Sequence, residues 1–368
     1  MNPTPAAAER PRTPSATRAR TMKAVVKASR GPGAEIREVP VPTAGPGELL
    51  LRVLRAGVCG TDLHIYSWDR WSEGRLNPPV TLGHEFVGEI VERGAGVTQF
   101  ELGERVSCES HVICNVCLAC RTGNGHVCEN TRILGVDLNG GFAEYVAVPA
   151  SNAWRAPANV PLEVAGVMEP LGNAVHTAFS GPLSACSVAV TGCGPIGLFA
   201  IGVARAAGAT CVIASDVSPY RLDLAKRMHA DVVVDVSRED FVERVKAATG
   251  GHGVDGVLEM SGNPDAMRDG LSALRMGGRL SLLGLPKEPF DLDWNRLLIF
   301  KGITLHGIIG RRMYETWYQM DQLLRSGRLD IRPAITHVMP MEGFEEAIAL
   351  LQSGNAGKVV LVPWGAEG

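Results

Sequence analysis

Long apolar segments and an excess of charge of one sign are both missing from this sequence. No run of about 18 or more apolar residues occurs, so we expect no helix that crosses a membrane. The 36 Lys and Arg residues nearly balance the 39 Asp and Glu residues, and the net charge is −3. A nucleic-acid-binding domain would instead carry a basic surface. We therefore expect neither a membrane nor a nucleic acid as a partner.

A secretory signal is also missing from the start of the chain. Residues 1–21 are mostly Pro, Ala, Thr and Arg, with Glu9 as the one acid, and they contain no apolar core. An Arg-rich segment poor in acids could be an organellar transit peptide, but no clear amphipathic pattern supports this. We expect residues 1–21 to form a disordered extension, or translation to start at Met22.

Length and composition indicate a globular protein of two domains. The chain has 368 residues, which is long for a single hydrophobic core. Hydrophobic residues make up 45% and charged residues 20%, as in an ordinary globular protein. The 43 glycines predict many tight turns and close backbone approaches.

The segment from Cys59 to Glu85 carries a set of metal-binding side chains. Cys59, His84 and Glu85 offer a thiolate, an imidazole and a carboxylate, with Thr61 and His64 nearby. Zinc binds S, N and O donors in a tetrahedron, and catalytic zinc sites leave one position open. A metal ion also keeps a thiolate deprotonated. The alternative is a buried cysteine and two unrelated histidines, but the cysteines further along the chain favour a metal site.

A second set of metal-binding residues has the spacing Cys114-x2-Cys117-x2-Cys120-x7-Cys128. Four thiolates this close can bind one tetrahedral zinc ion, and a site closed by four cysteines is structural. An iron–sulfur cluster is the competing interpretation, but the ferredoxin run ends with a gap of three residues and a Pro. Metal binding rather than disulfide formation indicates a reducing compartment, so we expect a cytoplasmic protein.

The order of predicted strands and helices indicates an α/β architecture. From Met22 to Val148, short apolar runs alternate with Gly and Pro, which favours a barrel-like β-rich domain. From Ser187 onwards, strands alternate with helices as in a doubly wound parallel sheet. The predicted strands of this sheet are 187–191, 210–214, 231–236, 254–260, 279–285 and 303–309. Later strands suggest that the C-terminus rejoins the first domain, which would make the second domain an insertion.

A glycine-rich turn follows the first strand of the predicted parallel sheet. Gly192, Gly194 and Gly197 form the pattern GxGxxG between a strand and a helix. Backbone N–H groups and the helix N-terminus can bind a pyrophosphate there. After the second strand, Asp216 can accept hydrogen bonds from both ribose hydroxyls of NAD and would repel the 2′-phosphate of NADP. Arg221 could lie over the adenine or offset that preference, and we expect NAD as the cofactor.

Together these features resemble the zinc-containing medium-chain alcohol dehydrogenase superfamily. The resemblance covers residues 22–363 and is strongest in 59–62, 83–85, the four-cysteine loop and 192–197. It implies a GroES-like catalytic domain and an inserted Rossmann domain that binds NAD, with the active site between them. The implied limits are 22–172 and 312–368 for the catalytic domain with two zinc sites, and 173–311 for the Rossmann domain.

The resemblance also implies roles for individual residues. Glu85 would be the third ligand of the catalytic zinc, and Glu169 would bind the ion directly or through water. Thr61 and His64 would pass the substrate proton outward, because a hydroxyl can relay a proton and histidine titrates near neutral pH. The implied NAD contacts are Ile196, Asp216, Arg221, Leu283, Gly284, Leu285, Ile308 and Ile309. A homotetramer is implied as well.

Within the superfamily, several stretches resemble the branch that oxidises the C3 hydroxyl of L-threonine to 2-amino-3-oxobutanoate with NAD. These stretches are 59–71, 170–178, 259–262, 293–294 and 310–319. Two alternatives stay open. A polyol or vicinal diol dehydrogenase, of the sorbitol or 2,3-butanediol type, would share the zinc site and the fold. A zinc-binding protein that senses NAD without catalysis would not need an open metal position.

Overall fold

The computed structural model describes residues 20–364 of the chain. Most of the predicted N-terminal extension, residues 1–19, therefore lies outside the described residues. Thr21, the last residue of that extension, already begins the first strand and pairs with Pro40, so the strand starts one residue earlier than predicted. Between residues 20 and 364, none of the helices combines the length and the apolar character that a bilayer crossing requires.

Short strands dominate both ends of the described chain, and strands alternate with helices in its middle. The strands are β1 (Thr21–Lys27), β2 (Glu35–Pro40), β3 (Glu48–Val58), β4 (Val80–Thr81), β5 (Glu85–Arg93), β6 (Arg105–Cys108), β7 (His111–Val112), β8 (Arg132–Ile133), β9 (Tyr145–Pro149), β10 (Ala153–Arg155), β11 (Ser187–Thr191), β12 (Cys211–Asp216), β13 (Val232–Asp235), β14 (Val254–Glu259), β15 (Leu274–Leu282), β16 (Thr304–Gly307), β17 (Ile335–Pro340) and β18 (Lys358–Val362). The α-helices are α1 (Gly60–Ser67), α2 (Arg70–Arg75), α3 (Leu118–Arg121), α4 (Leu162–Ala165), α5 (Met168–Ala178), α6 (Pro195–Ala206), α7 (Pro219–Arg227), α8 (Phe241–Ala248), α9 (Pro264–Ala273), α10 (Glu315–Arg325) and α11 (Phe344–Ser353).

The first and last parts of the chain share one seven-stranded sheet. Its strand order is β10-β6-β5-β3-β18-β17, and β9 also pairs with β3. The C-terminal strand β18 runs antiparallel to β3, with Val360 opposite Gly57. The last strand of the described chain therefore lies beside the strand that leads into Cys59.

The middle of the chain forms a six-stranded parallel sheet in the order β13-β12-β11-β14-β15-β16. The strand order reverses beside β11, so the loops at the carboxyl ends of the strands leave a crevice there. The apolar centre of β11, from Val188 to Val190, is completely buried, as expected for a strand covered on both faces. This arrangement confirms the predicted fold class, a doubly wound α/β sheet combined with a β-rich domain.

The limits of individual elements differ from the sequence predictions at some positions. β15 begins at Leu274 rather than at residue 279, because Leu274 pairs with Val254 of the neighbouring strand ahead of a bulge. One apolar cluster joins Val167, Val190 and Trp317, so packing continues across the predicted domain limits. Those limits stay a prediction.

Helix α5 lies where the two parts of the chain meet. Leu171 and Val175 of this helix belong to the same buried cluster as Val190 of β11 and Trp317 of α10. Its first turn carries Glu169, whose side chain is also buried. The packed helix therefore fixes the position of Glu169.

Candidate active site

Cys59 lies at the junction of strand β3 and helix α1. It is the N-cap residue of the helix, with φ −116° and ψ 161°. The backbone N–H of Cys59 donates to Asp62 Oδ2 at 2.9 Å, and Asp62 is completely buried. This hydrogen bond fixes the start of the helix, so the thiol is held at a rigid corner.

His84 and Glu85 follow a turn that requires glycine. Gly83 has φ +93°, and a Cβ there would lie 2.6 Å from the backbone nitrogen of Phe142. Glu85 then opens β5 opposite Gly57 of β3. Strand pairing thus brings the His84-Glu85 pair next to the strand that leads into α1.

The donor atoms of this site fit a zinc ion. The ligand atoms of Cys59, His84 and Glu85 all lie within 4.8 Å of one another. Burial lowers the pKa of His84, but the Cys59 thiolate and nearby acids outweigh this effect and raise the pKa to about 10. The site therefore attracts positive charge, which a divalent cation supplies. His84 Nδ1 is buried 3.9 Å from Asp62 Oδ1, without a hydrogen bond among the described residues.

Glu85 is also paired with a buried lysine. Lys358 Nζ, at the start of β18, lies 2.7 Å from Glu85 Oε1 and 2.5 Å from Oε2, and it donates to Val58 O at 2.9 Å. Burial lowers the pKa of Lys358, but the charges of Glu85 and Cys59 outweigh this and raise it above its ordinary value. The carboxylate thus has a cationic partner within the chain, and its role as third zinc ligand stays a prediction.

Glu169 is held by a second buried cation. Arg311 Nη1 lies 2.7 Å from Glu169 Oε1, and the same guanidinium binds both carboxylate oxygens of Glu109. Ser110 Oγ donates to Glu169 Oε1 at 2.5 Å. Burial raises the pKa of Glu169, but Arg311 outweighs this and lowers it. The ionised carboxylate lies outside the group of three donors above, so its contact with an ion stays a prediction.

The residues predicted to relay a proton lie on helix α1. Thr61 Oγ1 is 3.8 Å from Cys59 Sγ. His64 follows three residues later, so the two side chains occupy neighbouring positions on one face of the helix. The His64 side chain is 58% exposed. The helix therefore leads from the half-buried thiol to the solvent.

The four-cysteine loop brings its sulfur atoms together around one point. The sulfur atoms of Cys114, Cys117, Cys120 and Cys128 lie within 4.8 Å of one another, and all four thiols are free. Backbone N–H groups of Val116 and Cys117 lower the pKa of Cys114 to about 6. Burial and neighbouring thiols raise the pKa of Cys120 to about 12. Four thiolates so close together need a cation, and the closed set fits a structural zinc.

The predicted dinucleotide-binding turn lies between β11 and α6, at the crevice of the parallel sheet. Gly192 has φ +91°, and a Cβ there would lie 2.9 Å from the backbone of Ser261. A Cβ on Gly197 would collide with Gly192 O, whereas Gly194 has open space around it and caps α6. Ile196 lies in the first turn of α6. The turn therefore has the room and the exposed helix N-terminus that a pyrophosphate needs.

Asp216 ends β12 and binds the glycine-rich turn itself. Its Oδ2 accepts the backbone N–H of Cys193 at 2.7 Å, and its Oδ1 accepts that of Ser218 at 2.8 Å. Each carboxylate oxygen has a second lone pair, so both can still accept a ribose hydroxyl. Arg221 of α7 has a buried Nε without a hydrogen-bond partner among the described residues, which fits a contact with a bound nucleotide.

The remaining predicted NAD contacts follow β15 and β16. The backbone N–H groups of Leu283 and Gly284 donate to the end of β14 at 3.0 and 3.1 Å. Leu285 is 87% exposed beside a cavity of about 420 Å³. Ile308 and Ile309 come directly after β16. The structure brings these residues to the same edge of the sheet as the glycine-rich turn, and their contact with NAD stays a prediction.

Known proteins match both parts of the chain. Residues 45–158 match the alcohol dehydrogenase GroES-like domain, and residues 195–326 match the zinc-binding dehydrogenase family. The L-threonine 3-dehydrogenase of Symbiobacterium thermophilum is 52% identical over 346 residues, which cover 94% of this chain and 99% of that protein. That of Pyrococcus horikoshii is 50% identical, with coverage of 93% and 98%. The chain belongs to the zinc-containing medium-chain alcohol dehydrogenases.

Solved structures agree with this membership in the medium-chain alcohol dehydrogenases. The 2R,3R-butanediol dehydrogenase of Bacillus subtilis has a TM-score of 0.84 and 30% identity, with coverage of 93% of this chain and 99% of that one. The alcohol dehydrogenase TADH of Thermus sp. ATN1 has a TM-score of 0.82 and 32% identity, with the same coverage. The resemblance inferred from the sequence is confirmed.

Sequence reasoning missed the cations that hold the acids of this medium-chain dehydrogenase. Lys358 and Arg311 lie 273 and 202 residues from their partners Glu85 and Glu109. The sequence contains one weak signal for such a pair. Lys358 opens a strand that is otherwise apolar, as strands buried on both faces are, and a buried charge needs a partner.

We predict that Cys59→Ser removes one zinc ion per chain and abolishes turnover, because serine lacks the thiolate that binds zinc. Zinc analysis of the purified protein measures the loss. Cys120→Ser should remove the other ion and lower the melting temperature, since a structural zinc stabilises its loop. Cys211→Ser, outside both clusters, is the control and should keep both ions. Full zinc content in Cys59→Ser would contradict the assignment.

Replacing Asp216 by Ala should raise the KM for NAD about tenfold, because a hydrogen bond to a charged group contributes roughly 1.5–3 kcal/mol. Discrimination against NADP should fall as well, since the negative charge is gone. Initial rates with each cofactor measure both effects. Asp235→Ala is the matched control, because Asp235 ends the next strand and likewise accepts a backbone N–H, from Ser237 at 3.0 Å. Unchanged NAD affinity in Asp216→Ala would count against the assignment.

Proposed function

We propose that this dehydrogenase oxidises the C3 hydroxyl of L-threonine to a ketone, giving 2-amino-3-oxobutanoate and NADH. The main support for this proposal comes from its relatives named L-threonine 3-dehydrogenase. They share about half of its residues over more than nine-tenths of the chain. The donor set of Cys59, His84 and Glu85 offers the thiolate, imidazole and carboxylate that a catalytic zinc ion would need, which supports the proposal.

Zinc, when bound, supplies Lewis acidity that lowers the pKa of an alcohol hydroxyl towards neutral pH. Cys59 and His84 would hold the ion, with Glu85 as third ligand and Glu169 as a direct or water-mediated one. Glu85 and Glu169 each form an ion pair with a buried cation, and this limits the negative charge that the two carboxylates add to the site. This favours loss of the hydroxyl proton, because the product of that loss is an anion.

The released proton needs a route out of the buried site. Thr61 lies beside Cys59, and its hydroxyl can accept one proton while it donates another. His64, one helical turn further on, can take the proton and release it to water. The exposure of the His64 ring supports this order of transfer.

Bound NAD would supply the acceptor for the hydride that leaves C3. The glycines Gly192, Gly194 and Gly197 leave room for the pyrophosphate, and Asp216 would bind the ribose hydroxyls. The backbone between Leu283 and Leu285 would lie against the nicotinamide half. The negative charge of Asp216 at the end of β12 supports NAD over NADP.

We also propose a homotetramer. The outer strand β16 ends the parallel sheet, and the described residues around it leave large apolar side chains exposed. These are Trp294, Ile299, Phe300 and Ile309. An unpaired strand edge beside apolar side chains favours association with another copy.

We also propose a cytoplasmic location and an inserted Rossmann domain. The catalytic domain would span 22–172 and 312–368, and the Rossmann domain would span 173–311. The return of β17 and β18 to the sheet of β3 supports an inserted second domain. Nine free thiols support a reducing compartment.

A vicinal diol dehydrogenase is the second candidate, because the butanediol dehydrogenase of Bacillus subtilis shares the fold at 30% identity. Such an enzyme could use the same zinc site and the same NAD crevice. The substrate would then lack the ammonium and carboxylate groups of L-threonine.

Initial rates with NAD on L-threonine, sorbitol and 2,3-butanediol distinguish these candidates. We expect kcat/KM for L-threonine to exceed the other values at least about tenfold, because a pocket built for charged groups rejects analogues that lack them. Cys59→Ser is the control for zinc-dependent turnover. A preference for 2,3-butanediol or sorbitol would contradict the proposed substrate, and no NADH from any alcohol would indicate a protein that only senses NAD.

A further inference from the structure

The exposed end of helix α1 contains a histidine–carboxylate pair whose carboxylate has no role in the reaction so far. His64 Nδ1 lies 2.6 Å from Asp69 Oδ2. Asp69 is the N-cap residue of α2, and its Oδ1 accepts the backbone N–H of Ser72 at 2.9 Å. One carboxylate therefore connects two neighbouring helices through separate oxygen atoms.

The pair depends on a sharp reversal of the chain at Trp68. This residue ends α1 with φ 55° and ψ 54°, a left-handed conformation that costs about 1–2 kcal/mol for a residue with a Cβ. The indole lies 4.8 Å from Lys27 Nζ and 5.5 Å from the guanidinium carbon of Arg30. These cation–π contacts stabilise the indole. The fixed turn brings the carboxylate of Asp69 back to the ring of His64.

We propose that Asp69 is a positioning residue that holds His64 in the tautomer needed to accept the substrate proton. The inference rests on the proposed function, in which His64 receives that proton from Thr61. An ionised carboxylate can only accept a hydrogen bond, so the bond to His64 requires a proton on Nδ1. Nε2 then carries the free lone pair and is the nitrogen that can accept the relayed proton.

The carboxylate has the charge that this role needs. Burial raises the pKa of Asp69, but hydrogen bonds with Ser72 and His64 outweigh this and lower it below its ordinary value. Asp69 is therefore ionised at neutral pH, so it can accept a hydrogen bond from Nδ1 both before and after Nε2 takes the relayed proton. The exposed ring can then pass the proton to water.

A role limited to capping α2 is the alternative, and the chain offers a way to separate the two. Asn caps a helix about as well as Asp, so Asp69→Asn keeps the bond to Ser72. Its amide nitrogen would then point a donor at His64, which favours the wrong tautomer. Asp240 gives a matched control, because it caps α8 and accepts the backbone N–H of Glu243 at the same distance, 2.9 Å.

The test compares kcat and the KM values for L-threonine and NAD in Asp69→Asn, His64→Asn, the double variant and Asp240→Asn. We expect Asp69→Asn to lower kcat about ten- to hundredfold, as removal of a group that orients a histidine does at metal sites. Both KM values should stay nearly unchanged. The double variant should equal His64→Asn, because Asp69 acts only through the imidazole. Asp240→Asn should behave like the unaltered chain.

An unchanged kcat in Asp69→Asn would overturn the inference. The inference would also fail if Asp69→Asn lowered kcat by the same factor in the presence and in the absence of His64. It would fail as well if Asp240→Asn lowered kcat as much as Asp69→Asn does. The assignment of L-threonine as substrate can be wrong while the role of Asp69 is right. If the chain oxidises another alcohol instead of L-threonine, the same comparison is made with that alcohol, and if it oxidises none, the relay and the role of Asp69 both fail.

Discussion

Two buried cations, Lys358 and Arg311, hold the acids proposed for the catalytic centre, and the arrangement of the site depends on them. Lys358 binds Glu85, and Arg311 binds both Glu169 and Glu109. Removing one member of a buried pair costs about 3–5 kcal/mol, because the other charge is left without compensation. Lys358 lies 273 residues after its partner. The centre is therefore complete only when the last strand has returned to the first sheet.

The proton relay and the NAD site proposed for this reaction lie on different elements of the fold. Helix α1 starts beside β3 and carries the two residues proposed to relay the proton, whereas the loops after β11, β12 and β15 line the crevice proposed for NAD. Helix α5 packs against α6 and α10 and presents Glu169 in its first turn. Asp216 binds the N–H of Cys193, so the acid expected to select NAD also fixes the turn that would bind its pyrophosphate.

What could be predicted from the sequence was mostly local. The spacing of the four cysteines, the GxGxxG turn and the alternation of strands and helices each lie within a short segment, and the structure brings each set together. The partners of Glu85 and Glu169 could not be predicted, because strand pairing and helix packing bring them from the far end of the chain. The start of β15 at Leu274 depends on its partner Val254. The contact of His64 with Asp69 needed a left-handed residue at Trp68, which no pattern in the sequence indicates.

Hydride transfer from C3 of L-threonine to NAD is tested most directly with substrate deuterated at C3. The zinc-loaded protein should produce NADH that carries one deuterium on its nicotinamide, as measured by mass spectrometry. The heavier isotope should also lower kcat/KM, because the C–D bond breaks in the step that the site catalyses. Nicotinamide without deuterium, or an absence of NADH from L-threonine, would contradict the proposed reaction.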